Sequence, residues 1–472
     1  MTSLDRLALA VQLPSFRGHS LPHAWRTLLD EGLGGVCLFG SNLPFEPLVA
    51  SIRAVAPDVV VATDEEGGEV TRLHCREGSP VLGHAALGVV DDPSLTHDTA
   101  AAIGTALRAA GVDLNLGPVA DVNSDPLNPV IGSRSFGAWT DLVARHVRAY
   151  VEGLQSAGVG ACVKHFPGHG DTREDSHLAL PTVDRLPDLA PFAAGVEAGA
   201  VAVMSAHIVV ASVDAERPAT LSPDVLGLLR SELGFDGIVV SDALDMAGAS
   251  AGRGIAAAAV AALAAGCDLL CSGPDKDAAL VREIQAAIVA AVRDGALAEE
   301  RLAEAAARVA ARPRLAGAPV GLDAERQLAG ARAALRVNGA LPDLTGAVLV
   351  RVDEDQSLAV GAVPWGIPCE AVDVAAFDAT SLAPDVPVVV QARDAHRDPD
   401  LLALVERLPE VVVVDYGWPG PWLPAAPRIC AQSASLPAQA AVAELLRSRG
   451  WTGQPTSSGS EGSLDQSLRE PS

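Results

Sequence analysis

Short apolar runs alternate with amphipathic, alanine-rich stretches from residue 5 to about residue 275, the pattern of repeated βα units around a parallel sheet. The runs at 8–13, 35–39, 59–63, 112–116, 161–165, 202–207, 237–241 and 267–271 are predicted strands. Helical spacing covers 24–32, 45–55, 95–110, 138–157, 188–199, 223–233, 253–265 and 276–293. Eight strands, each followed by a helix, predict an α/β fold: a closed (β/α)8 TIM barrel over residues 1–315. In such a barrel the functional groups gather where each strand hands over to its helix.

A further helix is expected at 299–311, after which Pro313, Pro319 and neighbouring glycines break the periodicity, so 316–330 reads as a linker. Apolar strands at 347–352, 386–391 and 411–415 then alternate with helical segments and predict a smaller α/β domain over 331–452. Its Trp418 and Trp422 are expected in packing rather than in sugar stacking. Residues 453–472 are rich in Ser, Gly and Glu without periodicity and read as a disordered tail.

Length fits this division, since 472 residues accommodate a barrel of about 250–320 residues and a smaller partner. A formal net charge of -25 argues against nucleic acid or an anionic membrane as partner, because both demand a cationic footprint. The first residues lack the basic, apolar and cleavage segments of a signal peptide, and no stretch holds about 20 uninterrupted apolar residues. A cytoplasmic chain is expected. The seven cysteines are scattered without zinc-site spacing and read as reduced core thiols.

Polar residues accumulate at the expected strand ends. The third run ends in Asp64-Glu65-Glu66-Gly67-Gly68-Glu69, the fifth in Lys164-His165-Phe166, the sixth in Ser205-Ala206-His207 and the seventh in Ser241-Asp242. Solvated rim charges would explain one such coincidence better than four. After Phe166, the residues Pro167, Gly168 and Gly170 force an irregular loop that carries His169 through His177 onto the catalytic face. The loop admits two chemistries. His165, His169, Asp171 and His177 suggest a metal site, but Pro and Gly preclude the helix that an H-x-x-x-H ligand pair needs. Asp175, two residues before His177, suits acid/base work by orienting the imidazole and stabilising its cation, and this reading is favoured. No metal or other cofactor is called for. His169, flanked by glycines, reads as a loop brace. Lys164 and Lys276 are the only lysines, so Lys164 reads as a position that needs a compact ammonium.

Four stretches together resemble glycoside hydrolase family 3, in its bacterial β-N-acetylglucosaminidase branch. They are DEEGGEVTRL (64–73), NPVIGSRSFG (128–137), KHFPGHGDTREDSHLALP (164–181) and GFDGIVVSDALDM (234–246). The resemblance spans roughly residues 5–315 and implies Asp242 as nucleophile, His177 as acid/base and Asp175 as its orienting partner. It also implies sugar binding by Asp64, Arg72, Arg134, Lys164 and His165, and a second domain built as an α/β sandwich. Glu65 stands where the motif usually has Gln, and Glu69 where it usually has Arg, which adds negative charge near the site. The implied reaction is retaining hydrolysis through a covalent glycosyl-enzyme, with inorganic phosphate as an alternative acceptor to water. Aromatic residues are only 3% of the chain, so a short substrate is expected, a cell-wall fragment or chitooligosaccharide, rather than an extended polysaccharide. The rivals are a β-glucosidase of the same family, whose nucleophile strand usually reads Ser-Asp-Trp rather than Ser241-Asp242-Ala243, and a catalytically silent sugar-binding module.

Overall fold

The computed structural model describes residues 2–174, 176, 180–250, 252–352, 359–374, 377, 386–408 and 410–453. Its first part is an α/β unit whose strands are β1 (Gln12–Leu13), β2 (Gly35–Leu38), β3 (Val60–Thr63), β4 (Leu114–Asn115), β5 (Gly160–Phe166), β6 (Ala202–Ser205), β7 (Ile238–Val240) and β8 (Leu270–Cys271). Strands β2 to β7 form one parallel six-stranded sheet in sequence order, and β1 pairs with β8, also in parallel. A bridge from Val240 to Leu269 joins β7 to the approach of β8, and Cys37 N donates to Pro14 O at 2.9 Å beside β1.

Buried strands covered on both faces read as continuous apolar runs, and successive side chains still alternate between the faces. Cys37, Val60, Ala62, Cys162, Ala202 and Met204 pack with Leu13 and Cys271 into one core. Their neighbours Val36, Leu38, Val61, Val163 and Val203 point the other way, into a larger core shared with the helices. Sequence encodes those helices at their ends: Asp92 caps Pro93–Ala109 by accepting from Ser94 N, and Asp277 caps Ala278–Arg293 by accepting from Leu280 N. The helix Pro93–Ala109 lies so close to Thr140–Ser156 that a Cβ on Gly153 would sit 2.1 Å from His97 O.

Two expectations need correction. The run 8–13 is not one strand, because Ser3–Ala10 is a helix and only Gln12–Leu13 is extended. A capping box between Thr2 and Asp5 settles a short apolar run that periodicity leaves ambiguous. The expected linker at 316–330 runs into the helix Ala324–Ala334, capped by Asp323 and docked through Gln327, which accepts from Leu82 N and donates to Thr99 Oγ1. Irregular backbone is confined to 311–323.

The later part carries a second six-stranded sheet of β9 (Arg336–Asn338), β10 (Val348–Val352), β11 (Glu370–Val372), β12 (Val388–Ala392), β13 (Val411–Asp415) and β14 (Arg428–Cys430). Its order is β9-β14-β13-β12-β10-β11, parallel except for β9. The helix Leu436–Arg447 packs Val442 and Leu446 on one face, and Pro399–Arg407 packs Leu401 and Leu404 on the other. Trp418 is half-buried near Gly132 of the first unit, and Trp422 donates to Ala426 O, so both Trp side chains serve packing. Residues 454–472, which include nearly all of the expected tail, lie outside the described residues.

Candidate functional site

The C-terminal ends of the parallel strands surround a cavity of about 270 Å³ lined by Asp64, Arg72, Arg134, Lys164, His165 and Asp242 among others. These are six of the eight site residues expected from sequence. Asp175 and His177 lie outside the described residues, while Ser176 between them lines the cavity. Asp64 follows β3 directly, Lys164 and His165 lie within β5, and Asp242 follows β7 by two residues. Arg134 reaches in from a single 3-10 turn, Gly132–Arg134, and Arg72 from just past the hairpin of Glu65–Gly67 and Val70–Thr71.

An ion network forms one wall. Lys164 Nζ lies 2.7 Å from Asp64 Oδ1 and 2.7 Å from Glu66 Oε1. Arg134 grips the same Glu66 in a forked pair, Nε to Oε2 at 3.0 Å and Nη2 to Oε1 at 2.8 Å. Burial alone would raise the Glu66 carboxyl, but Arg134 and Lys164 hold it well below the usual range. Burial likewise opposes the Lys164 charge, and Asp64 and Glu66 overcome it so that the ammonium is held more firmly than usual. A compact ammonium bridging two carboxylates matches the expectation for Lys164.

Sequence reading missed the residue beneath this wall. Asp121 is fully buried and accepts from His165 N at 3.2 Å and from His169 N at 2.7 Å, while its Oδ2 lies 2.7 Å from His165 Nδ1. Burial would raise its pKa, and the His165 charge and hydrogen bond outweigh burial and keep it lowered. The acceptor on Nδ1 fixes the His165 ring and turns its other nitrogen away from Asp121. The signal for it was Asp121 and Asn123, polar residues past the fourth strand. His169 braces the loop as expected, with Nδ1 2.8 Å from Thr172 Oγ1 and Nε2 2.9 Å from Ser176 Oγ. Burial lowers its pKa to about 4, so it is neutral at ordinary pH.

Near Asp242 the backbone is pinned. Ala243 N donates to Asp242 Oδ1 at 2.7 Å, and Ser241 Oγ accepts from Cys271 N of β8 at 3.0 Å. His207, another strand-end residue, is buried and holds the Ala243 carbonyl through Nε2 at 3.0 Å. The two departures from the resembled motif do not charge the cavity as expected. Glu69 bonds Ser133 and faces Arg393 of the second unit at 3.8 Å. Glu65 is buried behind Arg72, and burial pushes its pKa up to about 7, so it carries only part of its charge near neutral pH.

A small cavity walled by carboxylates and forked cations, with a further carboxylate on a rigid strand end, defines an enzyme site for a compact polyhydroxylated substrate. The chain belongs to glycosyl hydrolase family 3: the family's N-terminal domain matches residues 11–311. It is therefore a glycoside hydrolase. It is 39% identical over 275 residues to a β-hexosaminidase from Methylococcus capsulatus, covering 55% of this chain and 81% of that protein. A family 3 β-N-acetylglucosaminidase structure from Paenibacillus superimposes with a TM-score of 0.85 at 32% identity, covering 95% of this chain and 97% of that one. A β-N-acetylhexosaminidase from Beutenbergia cavernae superimposes at 0.59 and 30% identity, covering 66% of this chain and 98% of that one.

Proposed function

We propose that the chain is a retaining β-N-acetylglucosaminidase whose eight strands close into a (β/α)8 barrel over 1–315, joined through the irregular stretch that ends at 323 to an α/β sandwich that ends at 452. The β1–β8 pair, the bridge to β7, the Cys37–Pro14 hydrogen bond and the inner core of alternating residues support closure. The observation that carries the activity is the convergence of Asp64, Arg72, Arg134, Lys164 and His165 with Asp242 in one cavity. Asp242 attacks the anomeric carbon while His177, oriented by Asp175, protonates the leaving oxygen. Water deprotonated by His177 then releases the sugar. The resemblance supports the His177 and Asp175 roles, and the names of the relatives support N-acetylglucosamine. Among the described residues no helix is long and apolar enough to cross a membrane. Terminal N-acetylglucosamine on short cell-wall fragments in the cytoplasm is the proposed substrate class.

Matched nitrophenyl N-acetylglucosaminide and glucoside substrates test the reading, with the first preferred. Preference for the glucoside would overturn it. Retention is read by NMR as the β anomer appearing first. The same assay in phosphate settles the acceptor, since glycosyl phosphate among the products would replace hydrolysis with phosphorolysis.

A further inference from the structure

Arg72 belongs to the cavity of the first unit, yet its guanidinium is held from the second. Nη1 donates to Val360 O at 2.8 Å and Nη2 to Ala359 O at 2.8 Å. Ala359 also lines the cavity. The stretch is seated by Val360 and Val363, which pack on Val70 of the hairpin that precedes Arg72. Gly361, at a φ of 73°, turns the chain immediately after the two carbonyls, and a Cβ there would face Arg72 Nη1 at 4.0 Å.

A guanidinium carries five donors in one plane, so acceptors on both Nη atoms fix that plane. Carbonyls are neutral acceptors and leave the positive charge undiminished, where a second carboxylate would cancel it. Asp64 Oδ2 stands 3.8 Å from Nη2, beyond a good hydrogen bond. Released from the carbonyls, Arg72 would swing into a forked pair with Asp64 and draw that carboxylate from Lys164 and from substrate. Arg72 Nε is buried with no hydrogen-bond partner among the described residues.

We propose that the turn 359–361 of the second unit is a positioning element of the sugar cavity, acting through Arg72 to keep the guanidinium in plane and apart from Asp64. This rests on the reading of the cavity as the sugar site. The second unit is then required for full affinity.

The test uses the full chain with Gly361→Pro, whose fixed negative φ is incompatible with the turn, and Gly361→Ala as a milder second variant. Gly346→Ala is the control: Gly346 is also left-handed in the second unit, with nothing within 4 Å of its Cβ position. KM for the N-acetylglucosaminide should rise about tenfold in the Gly361 variants with kcat changed less, and stay put in the control. In an Arg72→Lys background, where an ammonium cannot fork across two carbonyls, the Gly361 substitutions should cost less than about twofold more. Unchanged kcat/KM in the Gly361 variants, or losses that multiply with Arg72→Lys, would overturn the proposal. An Asp242→Ala variant run alongside separates the cases: turnover retained there refutes the underlying site, while loss there with normal Gly361 variants refutes only the positioning role.

Discussion

Replacing Glu65 by Gln should stabilise the protein increasingly as pH rises from 4.5 to about 7. Glu65 is buried behind the cavity, and its Oε2 accepts from Arg72 N at 2.8 Å and Leu73 N at 2.9 Å. Burial dominates over these bonds and raises the carboxyl from 4.5 to about 7. Below 4.5 the group is protonated folded and unfolded, and the fold bears no penalty. As pH rises past that value the unfolded chain ionises first, so stability falls until the folded group ionises near 7 and the penalty levels off. At about 1.4 kcal/mol per tenfold change, the full penalty is about 3 kcal/mol, with roughly 1 kcal/mol already present near pH 5.5. The Gln amide oxygen can accept the same two N–H bonds without the charge. Melting of the Glu65→Gln variant and its parent, followed calorimetrically at about pH 5.5 and 8.5, should show an advantage to the variant that widens with pH to about 3–5 °C. An advantage independent of pH, or a less stable variant at the higher pH, would refute the reasoning.

Lys164→Met leaves Asp64 and Glu66 without their shared cation and should cost about 3–5 kcal/mol of stability in denaturant melts. Lys164→Arg should keep the charge and still lose sugar affinity, read as a raised KM. Asp121→Asn removes the acceptor that fixes the His165 ring, so kcat/KM should fall roughly 10- to 100-fold, and nitrogen NMR of the imidazole should show the other tautomer. His177→Ala should slow hydrolysis of alkyl glycosides by at least about 100-fold and nitrophenyl glycosides far less, because the latter leave without protonation. Equal losses on both substrates would remove His177 from the acid role.

Local pattern made the parallel sheet and much of the site legible, because strand ends carry polar residues where apolar runs stop. Asp64, Lys164, His165 and Asp242 were readable on that ground alone. The run 8–13 misled because so short an apolar run fits helix and strand alike, and the decisive Thr2–Asp5 box lies outside it. The helix Ala324–Ala334 was hidden by its weak apolar face, which buries only small Ala331 and Ala334 beside the hydrogen-bonded Gln327. Asp121 escaped notice because its partners His165 and His169 are 44 and 48 residues away. Glu66 lay in a recognised motif, but its role depends on Arg134, 68 residues on. The hold on Arg72 spans 288 residues, a separation at which no periodicity carries information. Burial also tempers one expectation: Glu65 counts as a full negative charge in the sequence and is only partly ionised near neutral pH in the fold.

The central claim, that Asp242 forms the covalent bond to the sugar, is tested most directly by trapping. Incubation with a 5-fluoro N-acetylglucosaminyl fluoride, followed by proteolysis and mass spectrometry, should place the glycosyl label on Asp242 and on no other residue. Label on any other side chain, or an Asp242→Ala variant with undiminished turnover, would contradict the account.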